Sequence, residues 1–319
     1  MRVCAIAGGV GSARLCAGFA RVLDRGELTV AVNTGDDERI RGLHICPDVD
    51  TVLYHLADLT DWQRGWGLAE ESFVAHERYQ GLVARLPEVA ADDLQEWFAL
   101  GDRDLATHLV RGRLLDLGRS LTDVTAALAV AFGISSTVLP MSDDPVRTML
   151  TTTTGERLDF QTYFVRRHHT DELSEIDYEG VDAARPAPGV IEAIQGAEIV
   201  VIPPSNPLLS VGPVLAVPGV RTAIERSAAT RIAISPIVGG RALKGPADRV
   251  LAALGHEVSP VGVANLYRGL VDSFVLDAVD AGRSGDIEEL GIRPVVCDTI
   301  MSGQEEAARL AKDVIDAIS

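Results

Sequence analysis

The chain has 319 residues, 47% of them hydrophobic and 24% charged, with a formal net charge of −17 at pH 7. That composition supplies a large apolar core and excludes a disordered or fibrous protein. The negative charge repels phosphate backbones over long range, and no basic run offsets it, which argues against nucleic acid as a partner.

Four cysteines, Cys4, Cys16, Cys46 and Cys297, are scattered without C-x-x-C spacing. They read as buried thiols in a reducing cytosol, not as a zinc knuckle or a disulfide framework. The apolar opening MRVCAIAGG is broken by glycines and followed by Arg14 and Arg21, so it reads as a first strand and not as an export signal. No run reaches the roughly 18 consecutive apolar residues that a spanning helix needs. A soluble, cytoplasmic protein is expected, with no membrane partner.

Residues 2–7 form an apolar run, GGVGSA turns the chain, and Leu15, Phe19, Val22 and Leu23 recur with helical spacing before a second run, LTVAVN, at 28–33. This βαβ pattern predicts a parallel sheet with right-handed crossovers. From 68 to 133 the periodicity is helical, with EESFVAHERYQGLVARL, DLATHLVRGRLLDLG and LTDVTAALAVAFG as candidate helices. β-Branched runs then return as STVLP, VRTMLTTTT, RLDFQTYFV, EIVVIPP, RIAISP, DSFVLD and PVVCD, and TTTTGER predicts a hairpin turning at Gly155. The expected fold is α/β, a Rossmann-like, doubly wound, mainly parallel sheet built from 1–67 and 134–319. An all-helical lobe, 68–133, is inserted in it.

GGVGSAR at 8–14 lies between a strand and a helix, where backbone N–H groups bind anions. The dinucleotide fingerprint fails, because Arg14 occupies its last position, and no G-K-[ST] makes it a Walker loop. Next comes NTGDDERIRGLHICPDVDT at 33–51, with five acids around a loop at the carboxyl end of the second strand, where open α/β sheets bind ligands. Helix capping and solvation explain Asp37, Glu38 and Asp48 as well as function does. Asp36 and Asp50 are read as functional: carboxylates converging on one pocket repel, and Mg²⁺ held with substrate phosphates relieves that repulsion.

In GDRDLATH at 101–108, Asp102 or Asp104 can cap the helix and pair with Arg103, and His108 reads as a structural histidine. Asp143 and Asp144 in PMSDDP read as turn formers. PPSNPLLSVGP at 203–213 offers Ser205 and Asn206 on a proline-stiffened loop, and SPIVGGRALKGPA at 235–247 adds Gly239, Gly240, Gly245 and Lys244 for close approach and charge neutralisation. Together these loops describe a phosphate-rich ligand bound with a divalent metal.

The ordered set GGVGSAR, NTGDD, ICPDVDTVLY, RGWG, GDRDLATH, LPMSDDPVRT, FQTYFV, PPSNPLLSVGP and SPIVGGRALKGPA resembles the 2-phospho-L-lactate transferase family of deazaflavin coenzyme F-420 biosynthesis, from residue 1 to about 300. The resemblance implies transfer of a phospho-acid, 2-phospholactyl or phosphoenolpyruvyl, from its guanosine diphosphate conjugate to the ribityl hydroxyl of the deazaflavin FO, with release of GMP. It also implies a homodimer. Carried over to this chain, Asp50 and Arg103 contact FO; Asp36 binds metal, with Asp48 or Asp50 as second ligand; Asp36 and Asp50 are the catalytic carboxylates. Ser205, Asn206, Gly239, Gly240 and Lys244 serve the guanosine and phosphate groups, and Gly9 and Gly11 let the backbone approach the ligand. Ser12 and Arg14 stand where members often carry Gly and Lys. The alternative is a nucleotide-sugar-binding regulator of the gluconeogenesis-factor type, which is similar in its first glycine loop.

Overall fold

The structure is a computed structural model that describes residues 1–86 and 94–317. Its first strand, β1 (Val3–Ala7), is buried along its whole length. Alternation sends Cys4 and Ile6 into one apolar cluster, and Val3, Ala5 and Ala7 into the other. Each face of the sheet is therefore covered, which is why its strands read as unbroken apolar runs. Val3 and Ile6, at most 1% exposed, contribute about 1.5–3 kcal/mol each by burial.

Helix α1 (Gly9–Val22) carries the chain to β2 (Leu28–Val32), which pairs parallel with β1. A small antiparallel hairpin, β3 (Glu38–Ile40) and β4 (Leu43–Ile45), feeds α2 (Pro47–Leu56), whose first position is the proline. Three helices follow: α3 (Val74–Val83), α4 (Asp102–Asp116) and α5 (Leu121–Ala131). α5 sends Leu121, Val124 and Leu128 into the core beneath the sheet and leads into β5 (Thr137–Pro140), parallel to β2. Part of the segment expected as a lobe thus helps cover the sheet.

β6 (Arg147–Thr152), β7 (Arg157–Asp159) and β8 (Leu173–Glu179) make a separate antiparallel sheet in the order β7-β6-β8. The expected hairpin forms, with Gly155 at φ 85°. The run RLDFQTYFV departs from its strand pattern after Asp159. That carboxylate accepts hydrogen bonds from the N–H and hydroxyl of Thr162, both at 2.7 Å, and winds 162–166 into a single wide helical turn. A capping acid here overrides β-propensity.

The chain returns to the main sheet through β9 (Ile199–Ile202) and β10 (Thr230–Ile234), makes the short hairpin β11 (Ile237–Val238) and β12 (Arg241–Ala242), and ends with β13 (Ser273–Asp277), β14 (Arg293–Cys297) and a closing helix, Gln304–Asp316. The seven main strands run in the order β14-β13-β10-β9-β1-β2-β5, all parallel. The winding direction reverses between β1 and β9. At such a switch point the loops leaving the strands' carboxyl ends diverge and open a crevice.

Candidate functional site

The loops after β1 and β9 meet at that crevice. Gly9 has φ +73°, a region that side-chain-bearing residues rarely adopt, and a Cβ on Gly11 would stand 1.9 Å from the carbonyl oxygen of Pro204. The close approach expected between Gly11 and a ligand is thus an approach to the proline loop. That packing locks α1 against PPSNP. Ser12 Oγ and Ser205 Oγ are 2.6 Å apart, and Ser205 also donates to the Gly8 carbonyl. Asn206 accepts N–H bonds from Leu208 and Leu209 at 2.9 and 3.0 Å, while its Nδ2 is buried with no partner.

Beside this clamp lie Asp36 and Asp48, linked by Asn33. The Asn33 amide donates to Asp48 Oδ2 at 2.9 Å and accepts the Gly35 N–H at 2.8 Å. Asp36 is 3% exposed; its backbone carbonyl accepts from Gln161 Nε2 at 2.7 Å, and its Oδ1 is buried with no hydrogen-bond partner. Burial first, and then the charge of Asp48, push Asp36 well above the ordinary carboxylate range, against the opposing pull of the nearby Asn33 and Thr148 side chains. Burial likewise pushes Asp48 up to about 6, partly countered by Asn33 and the Gly9 backbone. Two buried acids with no cationic side chain between them, one with an orphaned oxygen, suit a hard divalent cation.

Asp50 does not join that pair. In a helix, residues two apart point to different faces, so Asp48 turns to Asn33 and Asp50 turns to α4. There the fully buried Arg111 donates to both Asp50 oxygens, to Oδ2 at 3.0 Å. Asp50 raises the pKa of Arg111 even though burial works the other way. The guanidinium has only donors, so its 3.0 Å contact to His108 Nδ1 leaves the imidazole proton on Nε2, facing Asp104 Oδ2 at 3.3 Å. Tyr54 donates to Asp104 Oδ1 at 2.5 Å. Burial would raise the Asp104 pKa, but His108 and Tyr54 more than reverse that and lower it. Of the two second ligands expected beside Asp36, Asp48 or Asp50, the fold sets Asp48 next to it and turns Asp50 toward a buried guanidinium.

The remaining expected residues scatter more widely. Arg103 is exposed and donates to the Ala69 carbonyl at 3.0 Å, with Glu70 at 3.4 Å. Asp102 caps α3, not its own helix, by accepting the N–H groups of Val74 and Ala75 at 2.9 Å. Lys244 donates to the carbonyls of Gln63 and Arg64 at 2.9 and 2.8 Å, and Gly239 and Gly240 form the turn between β11 and β12. Arg14 donates to the carbonyls of Met301, at 2.7 Å, and Trp62, so its role here is to tie loops across α1. Asp143 caps α5 through Thr122, and Asp144 accepts the Arg185 N–H, as turn-forming acids do.

Sequence reasoning missed Asn33, Thr148 and Arg111. Arg111 was within reach: Asp104, His108 and Arg111 stand at i, i+4 and i+7, one face of a helix. Asn33 and Thr148 carry no such signal, since their importance arises only where β2 and β6 are brought together.

A parallel α/β sheet with a glycine-started helix and two buried acids beside its switch point defines an α/β protein of the doubly wound class. Residues 3–316 match the family described as 2-phospho-L-lactate transferase CofD, and the chain belongs to that family. It is similar to the phosphoenolpyruvate transferase of Kitasatospora aureofaciens, with 42% identity over 99% of this chain and 97% of that one. It is also similar to the 2-phospho-L-lactate transferase of Methanosarcina acetivorans, with 39% identity over 97% of each. A crystal structure of a Bacillus halodurans protein described as a upf0052 family member superposes with a TM-score of 0.63 at 16% identity over 98% of both chains, a likeness of fold.

Proposed function

We propose that this chain transfers a phospho-acid, 2-phospholactyl or phosphoenolpyruvyl, from its guanosine diphosphate conjugate to the ribityl hydroxyl of FO. The hydroxyl oxygen attacks the phosphorus that bears the acid, the pyrophosphate bond breaks, GMP leaves, and a phosphodiester remains. The observation that carries this reading is the orphaned Asp36 oxygen beside Asp48 at the switch point. Membership of the family supplies the reaction class.

Asp36 and Asp48 would hold Mg²⁺, which when bound neutralises pyrophosphate charge and steadies the leaving phosphate. Asn33 keeps the two carboxylates in register, and the N-terminal end of α1 favours the donor's negative charge. The unpartnered Nδ2 of Asn206 is a free donor for the nucleotide, with Ser205, Gly239, Gly240 and Lys244 assigned to the same end. Asp50 and Arg103 are assigned to FO. Phosphoryl transfer of this kind depends more on alignment than on base strength. Asp50, held rigid by Arg111, is therefore assigned to orient FO for attack.

Among the described residues no single helix is long and apolar enough to cross a membrane. Cytoplasmic action as a homodimer on small-molecule substrates is part of the same proposal. Incubation with FO, each guanylated phospho-acid in competition, and Mg²⁺ tests the reading. GMP release matched by phosphorylated deazaflavin supports it and identifies the preferred acid. Tight binding of a nucleotide sugar with no turnover would replace it with the regulator.

A further inference from the structure

The β3–β4 hairpin gathers three donors that the transferase reading leaves unused. Glu38 pairs with Ile45 and Arg39 with His44. One further step of that register sets Asp37 opposite Cys46, and strand alternation puts His44 on the same face as Cys46. A carboxylate oxygen, an imidazole nitrogen and the thiol sulfur of Asp37, His44 and Cys46 all lie within 4.8 Å of one another. His44 Nε2 and Asp37 Oδ2 are 3.5 Å apart.

Two observations mark this as more than a surface ion pair. Asp37 Oδ1 and His44 Nε2 are both buried with no hydrogen-bond partner, and Cys46 is fully buried beside them. Buried polar atoms are normally satisfied, so orphaned polar atoms on two neighbouring side chains point to an absent ligand. The Arg111 guanidinium reaches the His44 carbonyl at 3.4 Å, but Asp50 already balances its charge.

We propose that Asp37, His44 and Cys46 bind a divalent ion of borderline softness, of the zinc type, separate from the Asp36–Asp48 pair. Thiolate and imidazole together select such an ion over magnesium, and three protein ligands leave a fourth position on the side where His44 is partly exposed. On binding, the Cys46 thiol gives up its proton to solvent and the thiolate takes the metal. The ion would join both strands of the hairpin to the start of α2, fixing the segment between Asp36 and Asp48. The proposal goes beyond the transferase reading and does not depend on it.

Cobalt substitution gives the test, because a thiolate ligand to Co²⁺ produces a near-ultraviolet charge-transfer band. The metal-free wild-type chain is titrated with Co²⁺ and then displaced with Zn²⁺. One equivalent with that band is expected, lost in Cys46→Ser, weakened in His44→Ala and retained in Asp36→Asn. Zinc should also raise the unfolding temperature of the wild type and leave that of Cys46→Ser unchanged. Absence of the band in the wild-type protein, or a band that disappears in Asp36→Asn and survives His44→Ala, overturns the proposal. Because the wild-type spectrum decides the first point, a variant that fails to fold does not protect the idea.

Discussion

Asp48 and Asp50 stand two residues apart on one helix and have opposite electrostatic surroundings. Asp48, with Asp36, is buried against a neutral amide and another acid, and both carboxyls are pushed toward the protonated form. Asp50 is buried against Arg111, and its charge is matched within the protein. One cluster is complete in charge without a ligand and the other is not. An incomplete cluster at a switch point is where a charged ligand and its cation add most, because the protein has left a repulsion for them to relieve. The complete cluster fixes geometry.

The largest expected effect breaks the complete cluster. Arg111→Met strands Asp50 in the interior and should cost about 3–5 kcal/mol of stability, read from urea denaturation. Adding Asp50→Leu should recover much of that loss, and a double variant as unstable as the single one would show that the pair is not self-compensating. Next is Asp36→Asn, which should lower transfer on the order of 10²–10³-fold. The same variant should leave the metal-free protein as stable as before or more so, because it removes a buried repulsion. Unchanged GMP release would place the cation elsewhere.

A pH series sharpens the contrast. Asp48 titrates at about 6 in the folded chain against an ordinary 3.8, so between those values the folded state binds the extra proton. Stability of the metal-free protein should therefore fall as pH rises from about 4 to above 6, by about 2–3 kcal/mol. The fall should be shallower for Asp48→Asn, in which the raised Asp36 and Asp37 carboxyls still titrate, and saturating Mg²⁺ should oppose the loss in the wild type. Thermal unfolding across pH reads this directly; stability that rises through the window would reverse the assigned environment. The smallest effect is at exposed Arg103. Arg103→Ala should change stability by no more than about 0.5 kcal/mol while raising KM for FO roughly tenfold. An unchanged KM would remove Arg103 from the FO site.

Much of the fold was legible because both faces of the sheet are buried. Runs such as VCAIA and IVVI need no partner information to read as strands. Failure came where one side chain redirected the backbone, as Asp159 does in turning a β-like run into a helical turn. At the site, the density of acids in NTGDDERIRGLHICPDVDT pointed to the segment that carries the buried Asp36 and Asp48. It could not say which acids share a pocket, because that depends on a two-residue offset along α2 and on partners from β6 and α4. Lys244 shows the same limit: a cation that looks free for phosphate in the sequence is engaged with backbone carbonyls in the fold.

Calorimetric titration of Mg²⁺ into the protein saturated with guanosine diphosphate tests the central claim most directly, with Asp36→Asn and Asp50→Asn compared after circular dichroism confirms that both are folded. The account predicts that Mg²⁺ binding disappears in Asp36→Asn and persists in Asp50→Asn. Binding that survives the first substitution and is abolished by the second would contradict it.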